Sequence, residues 1–281
     1  MGRFVGAVTG DKRLLRCVLG VVDEAMHSPE GQAMAGWGLG YHQGNEVLLR
    51  KSPIGRPEET VDFRSLVHDI KATDFLGTLQ LAGPRHWLHD DAQPFRERGW
   101  LFAHHGSMPG FDAAREGLLE QVPNFLRRTI RGGTDSELLF HLFLSRLHLA
   151  GRLDDPATPA VEAGRALADT AQLARRHATP GEDDPLQLNL LATNGEVLIA
   201  TRLGLPMFTL TVSGMSECPV CEPPAADRFP EPVSHPDLRG VVVASGLPHE
   251  SPGWEAVPDG HVLHATRERE VGLLELEDRS G

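Results

Sequence analysis

The chain has 281 residues, 40% of them hydrophobic and 23% charged, a composition typical of a soluble globular protein with a sizeable core. Its 27 Lys and Arg residues against 39 Asp and Glu give a net charge of −12, which disfavours nucleic acids and anionic membranes, because both bind basic surfaces. The sequence contains no apolar run of transmembrane length and no basic-then-apolar leader. We therefore expect a cytoplasmic protein with a single domain over residues 1–281.

The first residues are predicted to form a short apolar strand, with a small residue directly after Met1. Removal of Met1 would leave Gly2 with a free amine at the head of this strand. N-terminal-nucleophile hydrolases use this position, where one residue supplies the attacking side chain and, as base, its own amine. Glycine has no side chain that could attack a substrate. The place of Gly2 in the chain therefore matches such an enzyme, but Gly2 lacks the nucleophilic side chain that the reaction needs.

Helices are predicted where apolar residues recur at helical spacing, and strands where they form short runs. The predicted helices cover residues 12–27, 60–70, 136–149 and 160–176. The predicted strands cover residues 46–50, 75–82, 99–103, 186–191, 196–201, 208–212, 240–244 and 261–265. Asn194-Gly195, between two of these strands, is a strong hairpin signal. Strands at both ends of the chain with helices between them indicate an α+β domain.

Three polar or glycine-rich stretches stand out. Glycines alternate with large residues in Gly36-Trp37-Gly38-Leu39-Gly40, which predicts an extended segment that other backbone approaches closely. His104-His105-Gly106-Ser107 follows a predicted strand and is expected to be a loop, either a functional site or a surface turn. Thr134 and Glu137 form a capping box at a helix start, which leaves Asp135 without a structural explanation.

Segments spread along the chain resemble class II glutamine amidotransferases in their order and approximate spacing. The segments are Met1–Gly6, Gly36–Gly40, Gln93–Phe95, Phe102–Gly106 and Gly133–Glu137. The C-terminal Val241–Ser245, Trp254 and Val257-Pro258 resemble the small, single-domain glutaminase-like branch of that family. The resemblance covers nearly the whole chain. It implies an α+β fold, a four-layer αββα sandwich of the N-terminal-nucleophile hydrolase type.

The resemblance also shows where this chain departs from the family. There a cysteine follows Met1 and its thiolate attacks the glutamine amide, whereas this chain has Gly2. The arginine that holds the substrate carboxylate in the family corresponds to Gln80. The family's His-Asn-Gly loop corresponds to His104-His105-Gly106, which places His105 and Gly106 at the oxyanion-hole positions.

One polar residue of the family pattern is retained. Asp135 corresponds to the aspartate that holds the substrate amino group in the family. Together with Gln80 and Trp37 it makes up the predicted substrate-binding set, and we expect its carboxylate to face the pocket. Its place at a helix N-terminus favours the ionised form.

The three cysteines do not form a disulfide framework, because their number is odd. Cys17 lies on the apolar face of the first predicted helix and is expected to be a small buried hydrophobe. Cys218 and Cys221 form a lone C-x-x-C motif. A zinc ion bound there would need two more ligands, and the nearest downstream candidates are His235 and His249. We therefore expect no metal and no cofactor, and Cys218 and Cys221 are minor candidates.

These departures predict a protein with the amidotransferase fold that has lost glutaminase activity and acts as a ligand-binding, regulatory or scaffold subunit. One alternative is an active amidohydrolase or glutaminase of the same family that uses an unorthodox nucleophile. Another is a structural assembly subunit with a closed pocket. The expected partners are a small amino-acid-like ligand, and a protein partner or a second copy of the chain in a homo-oligomer.

Overall fold

The structure is a computed structural model that describes residues 2–22, 34–44, 46–53, 63–81, 89–221, 232–246 and 252–276. The strands are β1 (Gly2–Thr9), β2 (Met34–Gln43), β3 (Glu46–Pro53), β4 (Asp74–Leu81), β5 (Phe95–Glu97), β6 (Trp100–Ser107), β7 (Gln187–Thr193), β8 (Val197–Arg202), β9 (Met207–Met215), β10 (His235–Ser245), β11 (Trp254–Ala256), β12 (His261–Thr266) and β13 (Val271–Glu275). The helices are α1 (Leu15–Leu19), α2 (Phe63–Val67), α3 (Phe111–Glu120), α4 (Asn124–Arg127), α5 (Asp135–Leu149) and α6 (Ala160–His177). Within the described ranges, no helix has the length and apolar character needed to cross a membrane.

The strands form two antiparallel sheets. The seven-stranded sheet has the order β11-β9-β10-β1-β4-β2-β3, and the six-stranded sheet has the order β13-β12-β8-β7-β6-β5. β1 lies between β10 and β4, so both of its edges are hydrogen-bonded. The predicted N-terminal strand is therefore confirmed, and Gly2 begins it in the interior of the sheet.

The two sheets pack face to face, and helices cover their outer faces. The core between the sheets contains Phe4 and Leu76 from one sheet and Leu101 and Leu191 from the other. α1 and α2 pack on the outer face of the seven-stranded sheet, and α3, α5 and α6 pack on the outer face of the six-stranded sheet. Strand side chains alternate between the two faces of a sheet, and in both sheets each face carries apolar side chains. The result is the predicted four-layer αββα sandwich.

Most predicted elements are present, but the first helix is much shorter than predicted. α1 begins at Leu15 and ends at Leu19, instead of extending over residues 12–27. The carboxylate of Asp11 accepts hydrogen bonds from the backbone N–H of Arg13 and from its guanidinium, and these bonds hold a turn before the helix. Residues 23–33 lie outside the described part of the chain. α2 is likewise shorter than the predicted helix at 60–70, of which residues 60–62 lie outside the described part.

The prediction of a loop at residues 104–107 is wrong, because β6 continues through Ser107. In the paired register His104 lies opposite Leu190, and His105 lies opposite Asn189. Both imidazoles are buried, and each has a hydrogen-bond partner, so the strand can continue into the core. The hairpin prediction is confirmed, with Gly195 at a φ of 89° between β7 and β8.

Candidate functional site

The predicted nucleophile and carboxylate-clamp positions lie side by side at one end of the seven-stranded sheet. Gly2 of β1 is directly opposite Gln80 of β4, and Gly36 of β2 is opposite Gln80 on its other side. Because strand side chains alternate, Gln80 shares its face with Leu76, which packs between the sheets. This end of β1 and β4 thus faces the six-stranded sheet. We call it, together with the neighbouring His105, Ser245 and Asn189, the Gly2 pocket, after the substrate pocket that the family resemblance predicts.

Gly2 has no room for a side chain. A Cβ atom added to Gly2 would lie 2.6 Å from the backbone carbonyl oxygen of Leu79 on β4. This distance is far below a van der Waals contact, and a backbone atom in the middle of a sheet cannot move aside cheaply. The position therefore differs from an active site from which only a thiol has been removed.

Within the described part of the chain, Gln80 carries a polar atom without a hydrogen-bond partner. Its side chain is 4% exposed, and its Nε2 has no hydrogen-bond partner among the residues that the structure describes. A buried donor without an acceptor costs about 1–3 kcal/mol. An acceptor atom of a bound molecule would remove that cost. As a neutral amide, however, Gln80 holds a carboxylate less strongly than the bidentate pair an arginine makes.

His105 takes part in a hydrogen-bond network that connects the two sheets. Its Nδ1 lies 2.8 Å from Oγ of Ser245 at the end of β10. The side-chain amide of Asn189 on β7 donates to the same oxygen at 2.9 Å. The Ser245 hydroxyl in turn donates to the carbonyl of Pro206 at 3.2 Å. His105 and Asn189 belong to the six-stranded sheet and Ser245 to the seven-stranded sheet.

This network determines what His105 can do chemically. Burial lowers its pKa to about 3, and the charges of His104 and Arg3 act in the same direction, so the imidazole is neutral at neutral pH. Because the single Ser245 proton is donated to Pro206, the His105 ring donates from Nδ1 and its Nε2 is an acceptor. An oxyanion requires donors. His105 therefore does not replace the amide donor of the family's asparagine.

His104, the neighbouring residue, points to the opposite side of β6 and has a structural role. Its ring nitrogens lie 3.0 Å from Oγ of Ser136 on α5 and 3.0 Å from the carbonyl of Gln187. Its backbone N–H donates to the Gln93 side chain at 2.6 Å, and its carbonyl accepts from the same amide at 3.0 Å. His104 thus ties β6 to the helical layer outside the six-stranded sheet.

The glycines of the predicted motifs are explained by close backbone contacts. Gly106 has a φ of 142°, and a Cβ atom there would overlap the carbonyl oxygen of Gln187. A Cβ atom at Gly38 would overlap the carbonyl oxygen of Gln93, so backbone does approach this segment closely, as predicted. Both positions therefore require glycine for packing, whether or not a ligand binds.

Asp135 connects the start of α5 to the turn after β6. Its Oδ2 accepts from the backbone N–H of Met108 at 3.0 Å, and its Oδ1 accepts from the N–H of Ser136 at 2.8 Å. The half-exposed carboxylate therefore has a structural role across two elements. Only half of the predicted capping box is confirmed: Oγ1 of Thr134 accepts from the N–H of Glu137. The Glu137 carboxylate accepts instead from the N–H groups of Arg131 and Gly132. That Asp135 also binds an amine remains a prediction.

The structure does not bring Trp37 together with Gln80. Trp37 lies opposite Leu79 on β4, and both pack in the apolar cluster on the outer face of the sheet. The guanidinium of Arg50 lies over its ring, 5.4 Å from the centroid. The Trp37 side chain therefore belongs to the helix-covered face, whereas Gln80 faces the second sheet.

The cysteines form a second polar site, outside the seven-stranded sheet. Cys17 on α1 is buried as predicted, but its Sγ lies 3.6 Å from Sγ of Cys221 and 3.5 Å from Nε2 of His235. Burial, with smaller contributions from Cys218 and Cys221, raises the pKa of Cys17 to about 12. We call the four residues the thiol–imidazole cluster: Cys17, Cys218, Cys221 and His235. The other suggested ligand, His249, lies outside the described residues.

Sequence reasoning assigned no role to two residues of the Gly2 pocket. Ser245 lies in a segment that carried the family resemblance, but its hydroxyl was not singled out. Asn189 is a polar residue inside an otherwise apolar strand, and it is completely buried. A buried amide needs partners, so an asparagine between Leu188 and Leu190 was a usable signal.

Comparison with known proteins points to one family. The family model for class II glutamine amidotransferases matches residues 25–277, a range that does not include Gly2. A glutamine aminotransferase class-II domain protein from Silicibacter pomeroyi has 19% identity and a TM-score of 0.59, covering 98% of this chain and 99% of that one. A predicted glutamine amidotransferase from Pseudomonas aeruginosa has 17% identity and a TM-score of 0.59, covering 96% and 98%.

A larger enzyme shares the fold over part of its length. The glutamine phosphoribosylpyrophosphate amidotransferase from B. subtilis has 13% identity and a TM-score of 0.55, covering 99% of this chain and 50% of that one. At such identities the structural similarities concern the fold alone. A comparison with curated protein sequences finds no match.

Proposed function

Because the chain belongs to the class II glutamine amidotransferase family, we propose that it is a catalytically degenerate member that binds a small amino-acid-like ligand in a regulatory or scaffolding role. The observation that carries this proposal is the Leu79 carbonyl oxygen, 2.6 Å from where a side chain on residue 2 would begin. The strand end that would present a nucleophile has no space for one.

The other two catalytic requirements are also unmet. A tetrahedral intermediate needs donors directed at its oxyanion, and the neutral His105 offers an acceptor at Nε2. Loss of one such donor commonly costs about 10²–10³ in rate. The substrate carboxylate would meet the neutral amide of Gln80 instead of a cation. Each change alone weakens catalysis, and all three affect the same reaction.

Two residues that the family resemblance assigns to the substrate pocket have features that suit binding. Gln80 has a buried donor that lacks an acceptor among the described residues, and Asp135 keeps a half-exposed carboxylate at a helix start. A molecule with a carboxylate or amide oxygen and an ammonium group complements both residues. Amino acids and their amides have this combination, which is why we propose that ligand class.

The experiment combines an activity assay with a binding assay on the purified chain. Ammonia release from glutamine should equal the no-protein control. Glutamine, glutamate and related amino acids should then be screened by thermal shift, since a ligand at about 100 times its dissociation constant stabilises by about 2.7 kcal/mol. Replacing Gln80→Met should reduce the shift, because it removes the unpaired donor and keeps the side-chain length.

The outcomes separate the alternatives. Glutamine hydrolysis that is lost in His105→Ala would overturn the proposal and identify an active amidohydrolase with an unorthodox nucleophile. No hydrolysis and no stabilisation by any amino acid would instead support a structural subunit with a closed pocket. Hydrolysis that persists unchanged in every pocket variant would indicate a contaminating enzyme.

A further inference from the structure

The thiol–imidazole cluster brings Cys17 together with three residues that are more than 200 positions away in sequence. Cys17 lies on α1, Cys218 and Cys221 follow β9, and His235 begins β10. One ligand atom from each residue lies within 4.8 Å of all the others. The resemblance to amidotransferases explains none of these residues. We propose that this cluster binds one Zn²⁺ ion in a closed, structural site.

Two distances within the cluster match the edges of a zinc tetrahedron. With Zn–S bonds of about 2.3 Å and Zn–N bonds of about 2.0–2.1 Å, two sulfurs lie about 3.8 Å apart, and a sulfur and a nitrogen about 3.5 Å apart. The Sγ atoms of Cys17 and Cys221 are 3.6 Å apart, and Sγ of Cys17 is 3.5 Å from Nε2 of His235. Three thiolates and one imidazole are a common donor set for structural zinc.

The surroundings of the cluster suit a negatively charged metal centre. The backbone N–H of Cys221 donates to Sγ of Cys218 at 3.4 Å, within the C-x-x-C turn. A guanidinium nitrogen of Arg16 lies 3.7 Å from Sγ of Cys221 and brings a positive charge next to the thiolates. Cys17 and Cys218 are 0% and 7% exposed, whereas Cys221 and His235 are half-buried. Such outer contacts orient metal ligands and hold their charge.

A disulfide explains the cluster less well than a metal. An S–S bond is about 2.05 Å long and joins two sulfurs, so it would leave the third cysteine and His235 unused. A thiolate metal site uses all four side chains at once. With four protein ligands, the ion has no open position for substrate, which is the arrangement of structural and not catalytic zinc.

The fold gives such an ion a clear role. α1 has five residues and no side-chain cap at its start, so it depends on contacts with the rest of the protein. Gly20, directly after α1, is packed so closely against Val220 of the C-x-x-C turn that a Cβ atom would overlap it. A zinc ion would fasten α1 to the connection between β9 and β10.

The proposal is tested by measuring metal in the full-length protein, purified without a histidine tag and under reducing conditions. We expect about one zinc per chain by plasma mass spectrometry. After removal of zinc with a chelator, Co²⁺ should bind at the same stoichiometry. Its spectrum should show the strong visible absorption of tetrahedral cobalt and thiolate-to-cobalt charge-transfer bands, which require cysteine ligands.

Variants locate the site. Cys17→Ser and Cys221→Ser should lower the zinc content to less than about one tenth of the wild-type value. His235→Cys replaces the imidazole with a fourth thiolate and should retain about one zinc per chain with a shifted cobalt spectrum. This variant also tests the site if the serine variants do not fold. The matched control is His177→Asn, because His177 is exposed on α6, far from the cluster in the fold.

Three results would overturn the proposal. The first is reduced protein that takes up neither Zn²⁺ nor Co²⁺. The second is bound iron with the absorption of an iron–sulfur cluster in place of zinc. The third is metal binding that Cys17→Ser and Cys221→Ser leave unchanged. None of these results bears on glutamine hydrolysis or amino-acid binding, so the zinc site and the proposed function stand or fall separately.

Discussion

The Gly2 pocket and the thiol–imidazole cluster lie on opposite faces of the same sheet, and their polar groups are used differently. In the pocket, His105 is already bonded to Ser245, and the nucleophile position is closed by the Leu79 carbonyl. In the cluster, three sulfurs and one imidazole nitrogen lie within 4.8 Å of one another. The comparison teaches that a binding site depends on whether its polar groups are free and close together. A position corresponding to a family active site does not by itself ensure this.

The largest expected effect concerns the cluster. With free zinc at about 1,000 times the dissociation constant, binding stabilises the folded state by about 4.1 kcal/mol. For a chain of 281 residues, this corresponds to a rise in Tm of about 7 °C. Chelation should therefore lower the Tm of the wild type and of Gln80→Met by the same amount. If the chelator lowered the Tm of Cys221→Ser as much as that of the wild type, zinc binding at the cluster would be contradicted.

The next effect concerns the closed nucleophile position. Gly2→Cys should lower the free energy of unfolding by about 1–3 kcal/mol, because the new Cβ atom overlaps the Leu79 carbonyl. It should also release no ammonia from glutamine. Gly2→Ala is the matched control, since it adds the same Cβ without the thiol, and urea unfolding should show a similar loss for both.

Adding the remaining catalytic groups makes this test sharper. The triple variant Gly2→Cys, Gln80→Arg and His105→Asn restores the thiol, the cation and the amide donor together. Because the backbone obstruction at Gly2 persists, its glutaminase rate should stay as low as that of Gly2→Cys. A rate more than about tenfold above the single variant would mean that the pocket has kept a productive shape.

A smaller effect is expected on the pH dependence of stability. The folded pKa of His105, about 3, lies below its unfolded value of about 6.5, so protonation favours the unfolded state. Its contribution to stability is complete above pH 6.5 and is lost as the pH falls towards 3. Between pH 7 and 5.5 the wild type should lose about 1 kcal/mol more than His105→Asn in urea unfolding.

The titration of His42 does not obscure the comparison between the wild type and His105→Asn. His42 behaves in the opposite way: burial lowers its pKa, but the hydrogen bond and charge of Asp74 outweigh this and raise it. The contribution of His42 to the free energy of unfolding is therefore complete below about pH 6.5, and it is lost as the pH rises through the pKa of His42 in the folded state. Because His42 is present in both proteins, the difference between them reports on His105. Identical pH profiles would show that His105 is not held neutral.

The fold could be predicted from the sequence largely because its signals are local. Continuous apolar runs marked the strands, and Asn194-Gly195 marked a hairpin, since both act through neighbouring residues. The strand through His104 and His105 was missed because its polar side chains are satisfied by Ser136 and Ser245, which are distant in sequence. A single sequence without tertiary contacts cannot distinguish such a buried strand from a polar loop.

The two sites were predictable to different degrees for the same reason. The family resemblance identified Gln80 and His105, but the closeness of the Leu79 carbonyl to Gly2 depends on strand spacing. In the cluster, only Cys218 and Cys221 have a recognisable spacing. Cys17 is brought to them by the packing of α1, so helical periodicity assigned it to the core and did not indicate a ligand.

The smallest effect concerns the unpaired donor of Gln80. Gln80→Met keeps an unbranched side chain of similar length and removes the Nε2 atom that lacks a partner among the described residues. Without ligand, the variant should therefore be more stable by about 1 kcal/mol, seen as a rise in Tm of about 2–4 °C. Gln80→Glu is the matched control, because it keeps the shape but offers only acceptors and buries a charge, and it should be less stable than the wild type. A loss of stability in Gln80→Met would mean that the amide is already satisfied in the free protein. The polar groups of the pocket would then all be hydrogen-bonded within the protein. The argument for a ligand at Gln80 would fail.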